Sequence, residues 1–180
     1  MDILRTMSLR YAVLGLLAEL DGASGYDLLK TFEISLANVW GATQSQVYGE
    51  LAKLTADGLI EVLEEGPRGR KAYGITEAGR AELRHWLLET EPRNARRDEP
   101  LLRVFFLGQV KPEEAVAYLR GQIDQMEAWR EELARVERRV PWDDDNLSIY
   151  GRLALEYGRR FTETRREWLE WAIRQIEERT

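Results

Sequence analysis

Thr43-Gln44-Ser45-Gln46-Val47-Tyr48-Gly49-Glu50-Leu51-Ala52-Lys53-Leu54-Thr55-Ala56-Asp57-Gly58 reads as one amphipathic helix with its start and stop encoded. Thr43 carries the side-chain oxygen of an N-cap, and Asp57-Gly58 closes the run. Val47, Leu51 and Leu54 recur at helical spacing and face a core. With about 100° per residue, Ser45, Gly49 and Ala52 then lie on the opposite face. All three are small, so the backbone there can come close to another surface. Gln46 and Lys53 flank this strip on one side and Tyr48 on the other.

The flanking sequence places this helix third in a series. Ser8 is the expected N-cap of a first helix, carrying Leu9, Val13, Leu16, Leu17 and Leu20 up to Asp21-Gly22. Ser24 caps a second, with Tyr26, Leu28, Leu29 and Phe32. Its apolar run leaves the end open, at Phe32 or onward through Ile34 and Leu36 toward Trp40. After Gly58, Leu59–Leu63 is rich in strand formers, Gly66-Pro67-Arg68-Gly69 is turn chemistry, and Ala72–Ile75 is a return strand. Thr76 caps a fourth helix carrying Ala78, Leu83, Trp86 and Leu87, with Glu77 favourable to its N-terminal dipole. Helix-helix-helix-strand-strand-helix is the order of a winged helix-turn-helix with a small two-stranded wing.

In that fold the third helix enters a DNA major groove. Gln46 has the paired donor and acceptor of a base reader, and Lys53 and the Tyr48 hydroxyl suit phosphates. Thr43, Gln44 and Ser45 stand at the helix N-terminus, Gly49 allows close approach, and Tyr26 opens the preceding helix. Arg68, Arg70 and Lys71 put three positive charges on the wing, where it would meet backbone or minor groove. The expected DNA-contacting set is therefore Tyr26, Thr43, Gln44, Ser45, Gln46, Tyr48, Gly49, Lys53, Arg68, Arg70 and Lys71.

Glu91–Arg97 is polar and aperiodic, as a linker is. Pro100 opens a short apolar helix through Leu101, Leu102, Val104, Phe105, Phe106 and Leu107. From Pro112 the chain is charged and helical, broken only near Pro141 and Asp143-Asp144-Asp145. Val116, Leu119, Ile123 and Met126 form an apolar stripe on the helix expected over 112–139. Ile149, Leu153, Tyr157 and Phe161 form another on the helix expected over 146–178. Helices of this length, on the order of 40–50 Å, carry more apolar surface than one hairpin covers. These eight residues are the expected dimerisation set. The chain divides into a DNA-binding domain (1–92), a linker and joining helix (93–111) and a helical dimerisation domain (112–180). Its fold class is mainly α.

Composition narrows the function classes. The 180 residues include no cysteine and one histidine, His85, so thiolate chemistry and a His-rich metal site are both out. The carboxylate runs Glu64-Glu65 and Asp143–Asp145 read as solvated loops, since acid-base work needs carboxylates converging on a pocket. No catalytic set, phosphate loop or metal spacing is visible; the expectation is a non-enzyme without cofactor or metal. No apolar stretch spans a membrane and no secretion signal is evident, which points to the cytoplasm. The net charge is −6, yet residues 1–97 balance 12 Lys/Arg against 14 Asp/Glu, and phosphate binding needs only a local basic patch. Six tryptophans lie mostly among apolar residues at helical spacing. Core or dimer packing is their first reading; a flat apolar effector at a domain junction is the second. Trp40, just before the third helix, is placed to transmit a change there.

The sequence resembles the PadR-like transcriptional regulators in their longer form with a helical C-terminal domain. The resemblance is carried by Ser24-Gly25-Tyr26-Asp27-Leu28 and by Gln44–Leu51 followed by Leu54 and Asp57-Gly58-Leu59-Ile60. Arg70-Lys71-Ala72-Tyr73, Ile75-Thr76-Glu77-Ala78-Gly79 and Leu101-Leu102-Arg103-Val104-Phe105-Phe106 extend it. Gly49 stands where many members carry proline. The resemblance implies a homodimeric repressor released from its operator by a small molecule or another cue, without naming that effector or its residues. A homodimer on an inverted-repeat promoter operator, under a small aromatic or apolar effector, is the resulting expectation. The alternative is a winged-helix protein-interaction module that does not bind DNA.

Overall fold

The computed structural model describes residues 3–32, 42–92 and 98–179, with residues 3–8 and 68 described in backbone only. The chain forms two compact units, Met1–Pro92 and Arg93–Thr180. The expected continuation of the second helix toward Trp40, and any role of Trp40 itself, lie outside the described residues. So does linker segment 93–97.

In the first unit, α1 (Ile3–Glu19), β1 (Ala23–Ser24), α2 (Gly25–Thr31), α3 (Gln44–Ala56), β2 (Ile60–Glu65), β3 (Lys71–Ile75) and α4 (Glu77–Leu88) follow in order. Helix α1 begins at Ile3, ahead of the cap expected at Ser8: Ile3–Met7 contains no helix breaker, so the helix propagates back through it. Val13, Leu14 and Leu17 of α1, Leu28 of α2, and Val47, Leu51 and Leu54 of α3 are buried almost completely. Each such side chain contributes about 1.5–3 kcal/mol of burial free energy. Helices α1, α2 and α3 pack against one another around these side chains.

Among the described residues the sheet has three strands in the order β1-β3-β2, not the two expected. Ala23 pairs with Tyr73 and Ser24 with Ala72, tying the start of α2 to the wing. Two residues are too few to show the alternation by which a strand is read from sequence. Between β2 and β3 the register runs Ile60 to Ile75, Glu61 to Gly74 and Val62 to Tyr73, then slips by one at Leu63 so that Glu64 meets Ala72. Such a bulge sharpens the local twist of the wing. At the entry to α4, a Cβ on Gly79 would lie 2.1 Å from the Leu59 carbonyl oxygen, so only glycine lets the helix pass this close to β2.

The second unit holds α5 (Glu99–Phe105), a short 3-10 turn (Leu107–Gln109), α6 (Pro112–Arg139) and α7 (Asn146–Glu177). Asp98 caps α5, donated to by Leu101 N–H at 2.9 Å, and Asp145 caps α7, donated to by Ser148 N–H at 2.7 Å. Helices α6 and α7 form an antiparallel hairpin. Val116, Leu119 and Met126 of α6 pack on Leu169, Ala172 and Ile173 of α7, and Leu133 and Val136 pack on Leu155. Three of the four α6 residues expected at a dimer seam are therefore enclosed within the chain's own hairpin, and Ile123 packs on the same cluster. The α7 residues differ. Leu153 is 63% exposed and Tyr157 71%, with Ile149 and Phe161 also in the open. The two stripes have the same spacing, and pairing within the hairpin spends the first while leaving the second.

Candidate nucleic-acid interface

The outward strip of α3 is open. Ser45, Gly49 and Ala52 are all exposed, and nothing in the structure lies within 4 Å of a Cβ built on Gly49. The helix start is held by a reciprocal cap. The Thr43 N–H and hydroxyl donate to Gln46 Oε1 at 2.9 and 3.0 Å, and Gln46 N–H donates to Thr43 Oγ1 at 3.4 Å. Two donors on Oε1 fix the amide's orientation, so Gln46 presents its NH2 outward and spends its acceptor on the cap. The donor–acceptor pair expected for reading a base is reduced here to donors.

Tyr48 is 42% exposed, and its ring lies over Gly25 at the start of α2. Tyr26, on the first turn of α2, is exposed. Gln44 and Thr43 are exposed at the α3 terminus. Lys53 reaches back to Glu50 Oε2 at 3.2 Å, and Glu50 itself is only 3% exposed. Arg10 of α1 stands 3.8 Å from Glu50 and 2.8 Å from Asp57. A carboxylate so buried requires charge partners, and this cluster ties the second half of α3 to α1. The sequence reading assigned no role to Glu50 or Arg10. The signal was present: Glu50 lies three residues after Val47 and four before Leu54, on the apolar face.

On the wing, Gly66 N–H donates to Arg70 O at 2.7 Å, and Gly69 takes a positive φ of 77°, closing a tight tip. Arg70 Nη2 lies 3.2 Å from Asp27 Oδ2 on α2. Lys71 Nζ lies 3.0 Å from Glu65 on the facing strand, and that carboxylate's hydrogen bond raises the lysine above its usual value. Asp27 also accepts from Ser24 N–H and Ser24 Oγ at 2.9 and 2.6 Å. Those bonds, with the Arg70 guanidinium adding a smaller part, hold its carboxyl below the ordinary carboxylate range. Of Arg68 only the backbone is described. Lys53, Arg70 and Lys71 are thus each paired with a carboxylate of the chain itself.

Among the described residues, no group of His, Asp or Glu could hold a metal ion. His85 is exposed, with Nδ1 3.0 Å from Glu89. Trp86 stacks on Tyr11 at 4.5 Å and Trp129 meets Phe161 edge-on at 5.7 Å, whereas Trp171 is about half exposed. Trp168 lies against the α6–α7 core. An open groove of about 700 Å³ in the second unit is lined by Leu102, Phe106, Leu107, Val110 and Tyr118 together with Glu99, Arg103 and Glu114, and Leu102 and Phe106 are themselves more than half exposed.

Comparison with known proteins accords with this geometry. Residues 13–85 match the family model described as transcriptional regulator PadR-like family, and residues 96–177 match that described as virulence activator alpha C-term. The chain is 34% identical over 124 residues to the negative transcriptional regulator PadR of Bacillus subtilis, covering 67% of this chain and 68% of that protein. The crystal structure of that regulator in complex with operator DNA superposes with a TM-score of 0.78 at 29% identity, over 94% of this chain and 99% of the other. Its complex with p-coumaric acid gives 0.79 at 30% identity, over 94% and 98%.

Proposed function

This chain belongs to the PadR-like family of transcriptional regulators, and on that premise we propose that it is a homodimeric repressor of an inverted-repeat promoter operator. The observation that carries the reading is the outward face of α3, where small exposed residues leave open space at Gly49 between Gln46, Lys53 and Tyr48. A helix surfaced this thinly suits a major groove about 12 Å wide. Gln46, Tyr48 and Lys53 are the main helix contacts, with Tyr26, Thr43, Gln44 and Ser45 at its approach. Arg68, Arg70 and Lys71 supply the wing contacts.

Residues 1–92 act as the DNA-binding domain, 93–111 join it, and 112–180 dimerise. The exposed stripe of Ile149, Leu153, Tyr157 and Phe161 is the surface that supports pairing of two copies. Repression is the favoured sign, because the relative at 34% identity is a negative regulator. That relative binds p-coumaric acid, and a small aromatic or apolar effector is the corresponding cue for this chain. The open groove lined by Leu102, Phe106 and Tyr118 is the candidate place for it on the second unit. No described helix is long and apolar enough to cross a membrane, and the proposed site of action is the cytoplasm.

Recovery and sequencing of genomic fragments retained by the purified full chain tests the reading. A promoter region holding an inverted repeat should be enriched. Equal recovery of all fragments, or of none, would refute it.

A further inference from the structure

We infer that Asp27 is a specificity-determining residue of the DNA interface: it holds the Arg70 guanidinium on the protein until a correctly placed phosphate displaces it. The inference rests on the DNA-binding reading above. Its basis is an asymmetry within one ion pair. The Asp27 carboxylate is fixed, since a single oxygen accepts from Ser24 N–H at 2.9 Å, from Ser24 Oγ at 2.6 Å and from Arg70 Nη2 at 3.2 Å. Arg70 is loose. Its side chain is 69% exposed, stands on the wing tip 43 residues from Asp27, and makes one hydrogen bond to the carboxylate where a guanidinium can make two.

An exposed pair of this kind contributes little net stability, so a phosphate can take the arginine away. The carboxylate stays behind, anchored to the α2 cap, and continues to repel any phosphate nearby. Non-specific DNA binding comes almost wholly from phosphate contacts, whereas specific binding adds base contacts. Base contacts hold one phosphate in the register that displaces Asp27, whereas non-specific binding lacks that register and leaves Arg70 on Asp27. The pairing therefore removes a contact from non-specific binding that specific binding keeps. Lys53 is likewise paired with a held carboxylate, the buried Glu50, while Lys71 pairs with the exposed Glu65. Lys53, Arg70 and Lys71 are thus paired in advance, in keeping with a chain whose net charge is −6.

The test is Asp27→Asn, which keeps an oxygen for the Ser24 N–H, with Asp27→Ser as a second variant that also keeps one. Each full-length variant is titrated against a mixed-sequence duplex and against the fragment selected by the wild type, over a salt series. Both variants should bind the mixed-sequence duplex several-fold more tightly, with a smaller gain on the selected fragment. The salt slope on mixed-sequence DNA should steepen by about 0.9, one further phosphate contact. In an Arg70→Ala background that change of slope should vanish, which mere loss of the α2 cap would not produce. An unchanged ratio between the two duplexes, or weaker mixed-sequence binding, overturns the inference while DNA binding by the wild type stands. Failure of the wild type to bind either duplex overturns both.

Discussion

The ring of Tyr48 occupies the space that a side chain at Gly25 would need: a Cβ at position 25 would lie 2.6 Å from Cε1 and 2.9 Å from Cζ of the tyrosine. The start of α2 and the exposed side of α3 are thereby matched to each other. Because the ring is 42% exposed, it can swing outward when crowded. Gly25→Ala should then cost little stability, under about 1 kcal/mol, while displacing a proposed DNA contact. The expected result is a nearly unchanged melting temperature with roughly tenfold weaker operator binding, equivalent to about 1.4 kcal/mol. The double variant with Tyr48→Ala should bind no more weakly than Tyr48→Ala alone, and a further loss would show that the two residues act separately.

Gly49→Arg should separate folding from function. Its Cβ meets nothing within 4 Å, so the helix accepts the side chain and glycine's own helix penalty is relieved. The arginine projects where the groove wall must approach. Thermal unfolding should be unchanged or slightly raised, and operator binding should be lost. Retained specificity in this variant would mean that another face of α3 reads the DNA.

The two apolar stripes of the C-terminal unit predict opposite outcomes for one kind of substitution. Leu153 is 63% exposed, so Leu153→Asp should keep its helical circular dichroism and sediment as a monomer. Leu119 is fully buried, so Leu119→Asp should unfold the hairpin by burying a charge without a partner. Dimeric sedimentation of Leu153→Asp at micromolar concentration would remove the α7 stripe from the interface.

Acid should weaken the start of α5 through Asp98. The backbone N–H of Leu101, and after it the Arg165 guanidinium, hold this carboxyl below its ordinary value. Its folded-state pKa lies below the unfolded value of about 3.9, so its stabilisation is complete above that value. It is lost as pH falls through the lower, folded-state value. Thermal unfolding followed downward from pH 5 should fall less steeply for Asp98→Asn than for the wild type. Parallel curves would assign the acid sensitivity elsewhere.

The α3 helix was legible in the sequence because its information is local: Thr43 caps it, Val47, Leu51 and Leu54 set its inner face, and the small strip follows by rotation. The α6 and α7 boundaries were legible for the same reason. Strand β1 was not, since two residues carry no period and its partner Tyr73 is distant in sequence. The split between enclosed α6 and exposed α7 stripes depends on which faces meet in the hairpin, and spacing alone does not encode that. Pairing of Arg70 with Asp27 across 43 residues is likewise a product of the fold. Glu50 was readable from its place on the apolar face.

Titration of the full chain against one inverted-repeat duplex and against its isolated half-site, across a salt series, tests the central claim most directly. The account predicts a steep fall of affinity with salt, with a slope of about −0.9 for each phosphate neutralised. It also predicts far tighter binding to the inverted repeat, because the dimer makes the second half-site contact intramolecular. Affinity independent of salt, or equal for whole site and half-site, would contradict a dimeric DNA-binding repressor.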